Sequence, residues 1–314
     1  MRLAPVLIAV GCVLSAVLLA PGCAPRSGLS RAGKPRLEVP FTLRNGVVVL
    51  PVRVGSSRVL QVILDTGMGF DGVLLYEPVD DSAFLAQADS VQIPGAGAGA
   101  PARGLMLDSA SFRVGDVGLT GQWLICVIDS TFAGFPTNGV IGYSLFGRWV
   151  VEIDCDRMVI TLHDSAGFDP GPSWTAVPFE LRENRLPWVK LRVSIDGSAE
   201  HELDCYIDLA SREPLELLVR DDAMFRMPAG LEERYLGRGL SGDVRGWVGR
   251  VAWVELDTFR VDDIPAAFAP AAVRSKQPGA DAVIGNGLLS RFNVAYDYAG
   301  SRLWLRRRQT APGS

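Results

Sequence analysis

The run VILDTGMG, Val62 to Gly69, sets an apolar segment directly against Asp-Thr-Gly. Val62, Ile63 and Leu64 read as a buried strand, since β-branched and aliphatic residues suit a pleated, packed surface. A carboxylate directly after such a strand is costly to bury without partners. One account of Asp65 is local: a strand entering a surface turn often ends in Asp and Gly, for local hydrogen bonding and positive φ. The rest of the chain supplies another.

That other account begins with a repeat. VPFTLR at Val39 to Arg44 returns as VPFELR at Val177 to Arg182, with five identities in six positions. FRVGDV at Phe112 to Val117 returns as FRVDDI at Phe259 to Ile264. GVIGYSLFGRWVVEIDCDRMVITL, Gly139 to Leu162, returns without a gap as AVIGNGLLSRFNVAYDYAGSRLWL, Ala282 to Leu305, at an offset of 143. Three blocks in one order mark a duplicated chain. The same offset of 143 carries Asp65 onto Asp208, in CYIDLAS. Two similar lobes in one chain are expected to pack about an approximate two-fold axis, as homodimers do, and equivalent residues near that axis face each other.

A facing pair of carboxyls has a defined chemistry. Like charges about 3 Å apart cannot both ionise, so the pair keeps one proton and holds one base beside one acid. Hydrolysis of an unactivated amide needs both, a water made nucleophilic and a carbonyl made electrophilic. Thr66 is placed to hold a carboxylate by hydrogen bonds, and Gly67 lets backbone come close without a Cβ. A pair whose members turned away, or were locked to a basic neighbour, would share no proton.

On these residues the sequence resembles the pepsin-like and retropepsin-like aspartic proteases, in particular bacterial exported members with two fused lobes. The resemblance rests on ILDTG (Ile63 to Gly67) with VIG (Val140 to Gly142), and on YID (Tyr206 to Asp208) with VIG (Val283 to Gly285), and covers nearly all of residues 37 to 308. It implies Asp65 and Asp208 as the catalytic dyad, supported by Thr66 and Gly67. In lobe two Leu209 and Ala210 stand where the family has Thr or Ser and Gly, so one side's cross-lobe hydroxyl is lost; Ser211 is a candidate substitute. Two readings stay open, an asymmetric working dyad in an aspartic endopeptidase, or a catalytically impaired relative that binds peptides or protein partners. The resemblance also places a substrate flap at Gly95, Gly97 and Gly99 and, by the same offset, at Gly239 and Gly242; a plain hairpin or loose loop is the alternative. Asp154 and Asp297 are symmetric too, and read as turn residues closing hairpins.

The expected fold is all-β: two similar β-barrel-like lobes related by a pseudo-two-fold axis, with few short helices. Alternation in VVEIDCDRMVITL and WVELDTFRV supports it. Residues 1–23 read as a lipoprotein-type signal peptide: Arg2, an apolar stretch from Leu3 to Ala20, then LLAPGC, which resembles a bacterial lipobox and makes Cys23 the lipidation candidate. Residues 24–36 read as a flexible tether, 37–165 as the N-terminal lobe and 166–308 as the C-terminal lobe. An exported, lipid-anchored monomer of the bacterial cell envelope, acting on a peptide or protein substrate, is the expectation.

Composition narrows the classes. A net charge of −4 and a pI near 5.4 give no basic footprint for nucleic acid, and the run Arg306 to Arg308 reads as a solvated strand end. Both histidines, His163 and His201, read as surface residues, which disfavours histidine-based catalysis. Without a CxxC pair no metal or other cofactor is expected, and Cys126, Cys155 and Cys205 allow at most one disulfide.

Overall fold

A computed structural model describes residues 37–78, 86–220, 225, 227–274 and 279–309. The signal peptide, Cys23 and the tether lie outside these residues. Among the described residues no helix is long and apolar enough to cross a membrane.

The described residues form strands in three sheets. One eight-stranded sheet runs in the order Thr42–Arg44, Val47–Val54, Leu60–Leu64, Gly139–Ile141, Gly72–Leu75, Val117–Val127, Ala102–Val114, Asp89–Ile93. The second repeats it position for position: Glu180–Leu181, Pro187–Ser194, His201–Asp208, Ala282–Gly285, Leu215–Val219, Phe259–Pro270, Gly242–Leu256, Glu232–Gly239. Each curls on itself, because Val47–Val54 also pairs Ala102–Val114 and Pro187–Ser194 also pairs Gly242–Leu256. The repeat in the sequence is therefore a repeat of lobes, as expected.

A six-stranded sheet joins the lobes, in the order Leu37–Pro40, Val159–His163, Val150–Asp154, Phe292–Asp297, Arg302–Arg307, Thr175–Pro178. At its centre Val151 faces Tyr296, Glu152 faces Ala295 and Ile153 faces Val294. Exchanging each residue for its equivalent 143 positions away returns the same pairs, so the pseudo-two-fold axis passes between Glu152 and Ala295. Asp154 and Asp297 close hairpins there: Asp154 Oδ1 accepts the N–H groups of Asp156 and Arg157 at 3.0 and 2.9 Å, and Asp297 Oδ1 that of Gly300 at 2.8 Å.

Parallel pairing explains the apolar run before Asp65. Leu60–Leu64 lies between an antiparallel neighbour and the parallel strand Gly139–Ile141, and a strand covered on both faces reads as continuous hydrophobic sequence. Leu64 pairs Ile141, and Asp65 N–H continues the ladder to Ile141 O at 2.8 Å. In lobe two Ile207 pairs Ile284 in the same way. The short helices Tyr143–Phe146 and Asn286–Leu289 follow the two Val-Ile-Gly segments.

Two surface expectations need correction. His163 is largely covered, its Nε2 2.7 Å from Glu152 Oε2, because its strand pairs into the joining sheet. Arg308 is not a solvated end either: its guanidinium reaches Asp156 Oδ1 at 3.0 Å and Cys155 O at 3.0 Å in lobe one. Cys126, Cys155 and Cys205 are buried thiols.

Candidate active site

Both aspartates stand where a parallel strand pair ends, at the seam between the lobes. Their carboxyls flank Gly67, and Asp208 stands close enough to act on Asp65 through its charge. Gly67 is wedged against both: a Cβ on it would stand 2.9 Å from Asp65 Oδ1 and 3.4 Å from Asp208 Oδ1, so the close approach needs glycine. Gly67 N–H donates to Asp65 Oδ1 at 2.6 Å.

Thr66 crosses the seam. Its hydroxyl donates to Ile207 O at 2.8 Å and accepts the Leu209 N–H at 3.1 Å, fully buried. Leu209 returns no such bond and packs its side chain into the core instead. Ala210 is accommodated without positive φ, and its N–H donates to Asp208 Oδ1 at 3.0 Å. Ser211 adds its backbone N–H to the same oxygen at 3.2 Å, so it supports Asp208 by main chain rather than by its hydroxyl.

Two residues unmentioned by the motif complete the surroundings of Asp208. Arg274 Nη1 lies 3.4 Å from Asp208 Oδ2, while its Nε and Nη2 take the two oxygens of Glu216 at 2.9 and 3.0 Å. Hydrogen bonds of this type normally span about 2.7–3.2 Å. Arg274 is thus a bidentate partner of Glu216 that also makes a longer, single-contact ion pair with Asp208. Burial works against the Arg274 charge, but Glu216, with a smaller share from Asp208, more than offsets it, and the guanidinium stays ionised. Glu216 had a legible signal, an acid inside the apolar strand Leu215–Val219; Arg274, in AAVRSK, had none.

Burial, then the negative charge of Asp208, pushes Asp65 well above the ordinary carboxylate range; the Gly67 N–H and, more weakly, Arg274 pull the other way. Two carboxyls this close resist ionising together, and the proton one of them keeps belongs to the pair.

The pair floors a cavity of about 500 Å³ between the lobes. Lobe one walls it with Ile63, Leu74, Tyr76, Phe132 and Phe135, where Tyr76 and Phe132 stack at 4.0 Å and Phe135 meets them edge-on. Its roof is made by two hairpin tips, one from each lobe. Gly99 N–H donates to Ser241 O at 2.6 Å, Ser241 N–H to Ala96 O at 2.9 Å, and Gly97 N–H to Val273 O at 3.0 Å. The glycines of the expected flap, Gly95, Gly97 and Gly99 with Gly239 and Gly242, therefore lie in or beside one clasp over the carboxyls.

This is the two-lobe fold of aspartic proteinases. The chain superimposes on the crystal structure of the aspartic proteinase from Irpex lacteus with a TM-score of 0.54, covering 88% of this chain and 98% of that one, at 14% identity. No family model matches the chain, and no curated protein sequence does.

Proposed function

We propose that this chain is an aspartic-type endopeptidase that hydrolyses extended peptides in the cleft between its lobes. The observation that carries the reading is a pair of carboxyls, one from each lobe, on either side of Gly67 at the floor of a roofed cavity. A peptide lies extended there, its backbone bonded to the hairpin edges and its side chains in alternate pockets. The aromatic wall of lobe one selects a large apolar side chain next to the cut bond.

In the reaction a water sits between the carboxyls. The anionic carboxyl takes one of its protons as the oxygen attacks the peptide carbonyl carbon, and the protonated carboxyl gives its proton to the carbonyl oxygen. The resulting gem-diol collapses when the newly protonated carboxyl passes its proton to the amide nitrogen and the other takes a hydroxyl proton. The C–N bond breaks, an acid and an amine leave, and the pair again holds one proton.

The second reading, a binding protein on a protease scaffold, draws on Arg274 beside Asp208 and on the missing lobe-two hydroxyl. Incubating the purified protein with a peptide library from acid to neutral pH separates the two. Cleavage that Asp65→Asn and Asp208→Asn each remove supports the hydrolase; binding without cleavage by the unaltered protein supports the alternative. We also propose export and a lipid anchor through Cys23, on the strength of the leader sequence alone; mass spectrometry of the mature N-terminus tests it.

A further inference from the structure

Two lobes of one repeat are expected to floor their cleft alike, and three positions break that equivalence together. Leu74 pairs Val140 and Glu216 pairs Val283, and Val140 and Val283 are equivalents, so Glu216 takes the place of Leu74. Leu74 also pairs Ile125, and Glu216 pairs Ala267; counting on equally far from each reaches Phe132 and Arg274, each ending a 3-10 turn. Two residues ahead of each aspartate stand Ile63 and Tyr206. Where lobe one packs Ile63, Leu74 and Phe132, lobe two gathers Tyr206, Glu216 and Arg274. Buried ion pairs stabilise poorly compared with apolar packing of the same volume, so the exchange does not serve stability.

We propose that Arg274, anchored by Glu216, is a positioning residue of the dyad: it holds Asp208 as the carboxylate that takes water's proton and leaves the shared proton on Asp65. The proposal rests on the hydrolase reading above. Donor geometry supports it. Asp208 faces three donors, Ala210 N–H, Ser211 N–H and Arg274, at 3.0, 3.2 and 3.4 Å, whereas Asp65 accepts from Gly67 N–H. Donors to a carboxylate stabilise its charged form, so the anion belongs on the side with more of them. Because Glu216 takes both short bonds of the guanidinium, Asp208 is left the longer contact at 3.4 Å instead of a bidentate ion pair.

Tyr206 and Tyr76 stay neutral, pushed up chiefly by burial. Arg212 and Glu213, on the loop after Asp208, pair with each other at 3.3 Å. Tyr298 is likewise pushed up by burial, Arg44 and Arg238 also line the cavity, and among the described residues Arg274 is the cation paired with Asp208, with Glu216 behind it.

The test is a carbon-13 carboxyl titration of the full protein, with the two aspartates assigned by Asp65→Asn and Asp208→Asn, beside the pH profile of kcat/KM. Replacing the pair by apolar residues, Glu216→Leu with Arg274→Met, removes both charges at once; the titration of the dyad, and both limbs of the profile, are expected to move to higher pH by about one unit or more. Glu216→Gln frees Arg274 to bind Asp208 and is expected to move them the other way, and Arg274→Lys to hold them near the original position. Titrations that do not move in any variant overturn the proposal, even where stability falls. Should the double variant not fold, the opposite sign expected for Glu216→Gln still decides. If the titrations behave as expected while no peptide is cut, the charge device stands and the hydrolase reading fails; cleavage with an immovable profile has the reverse meaning.

Discussion

Thr66 of the first lobe takes the backbone N–H of Leu209 on its hydroxyl at 3.1 Å, and Leu209 has no hydroxyl to return. The same Thr66 oxygen donates to Ile207 O at 2.8 Å. One side chain thus does for the seam what a symmetric pair would share, which makes it a sensitive position. Thr66→Val leaves a buried donor and a buried acceptor unpaired, at about 1–3 kcal/mol for each such group. Urea denaturation is expected to show a loss of about 2–6 kcal/mol for the two groups together, and Thr66→Ser, which keeps the hydroxyl, much less.

Glu216 and Arg274 are energetically coupled. Removing one partner strands the other's charge in a site where the side chains are 4% and 14% exposed, a situation that typically costs about 3–5 kcal/mol. Glu216→Leu and Arg274→Phe singly are expected to show that loss. Together they restore the apolar solution of Leu74 and Phe132, and the double variant is expected to recover most of it. A double-mutant cycle by equilibrium unfolding measures the coupling; additive losses would contradict it.

How far this site was legible in sequence follows from what each residue does. The duplication and the two Asp-containing strand ends were readable, because continuous apolar runs and a strict offset survive in the letters. Ala210 and Ser211 were readable as neighbours of Asp208, but not how they support it, because they act through backbone N–H groups, which any residue carries, and not through the Ser211 hydroxyl. Arg274 reaches the dyad only because a 3-10 turn brings the end of Phe259–Pro270 back over the cleft. His163 misled although its cover is local, since Glu152 meets it across its own hairpin and the Phe168 ring lies 4.9 Å away, contacts that the alternation of the strand does not announce.

Stability carries a pH signature. The folded protein raises Asp65 above its ordinary value of 3.8, through burial and then the charge of Asp208, so the folded state binds that proton more tightly than the unfolded chain. The contribution is fully present below the ordinary value and is lost as pH rises through the raised one. Asp65→Asn removes this dependence. It is expected to be more stable than the unaltered protein at neutral pH, with the gap closing toward acid, as urea unfolding across that range will show.

The hairpin clasp over the cavity depends on Gly97. Its φ is +120°, and a Cβ there would stand 2.4 Å from the Ser241 carbonyl. Gly97→Ala adds strain of about 1–2 kcal/mol and pushes the tips apart. On the proposed function, kcat/KM is expected to fall about tenfold or more for a cut peptide, since each 1.4 kcal/mol is a factor of ten. The thermal midpoint is expected to fall by a few degrees as well, because the strain sits in the folded state and Ala96 and Leu240 pack against buried clusters.

The most direct measurement is peptide-library cleavage by the purified protein and by Asp65→Asn and Asp208→Asn, each first shown to be folded. A shared proton needs both carboxyls, so the unaltered protein is expected to cut and each variant to lose about a hundredfold to ten-thousandfold in rate. Cleavage that survives either substitution, or a folded protein that cuts nothing from acid to neutral pH, would contradict a working pair at the seam.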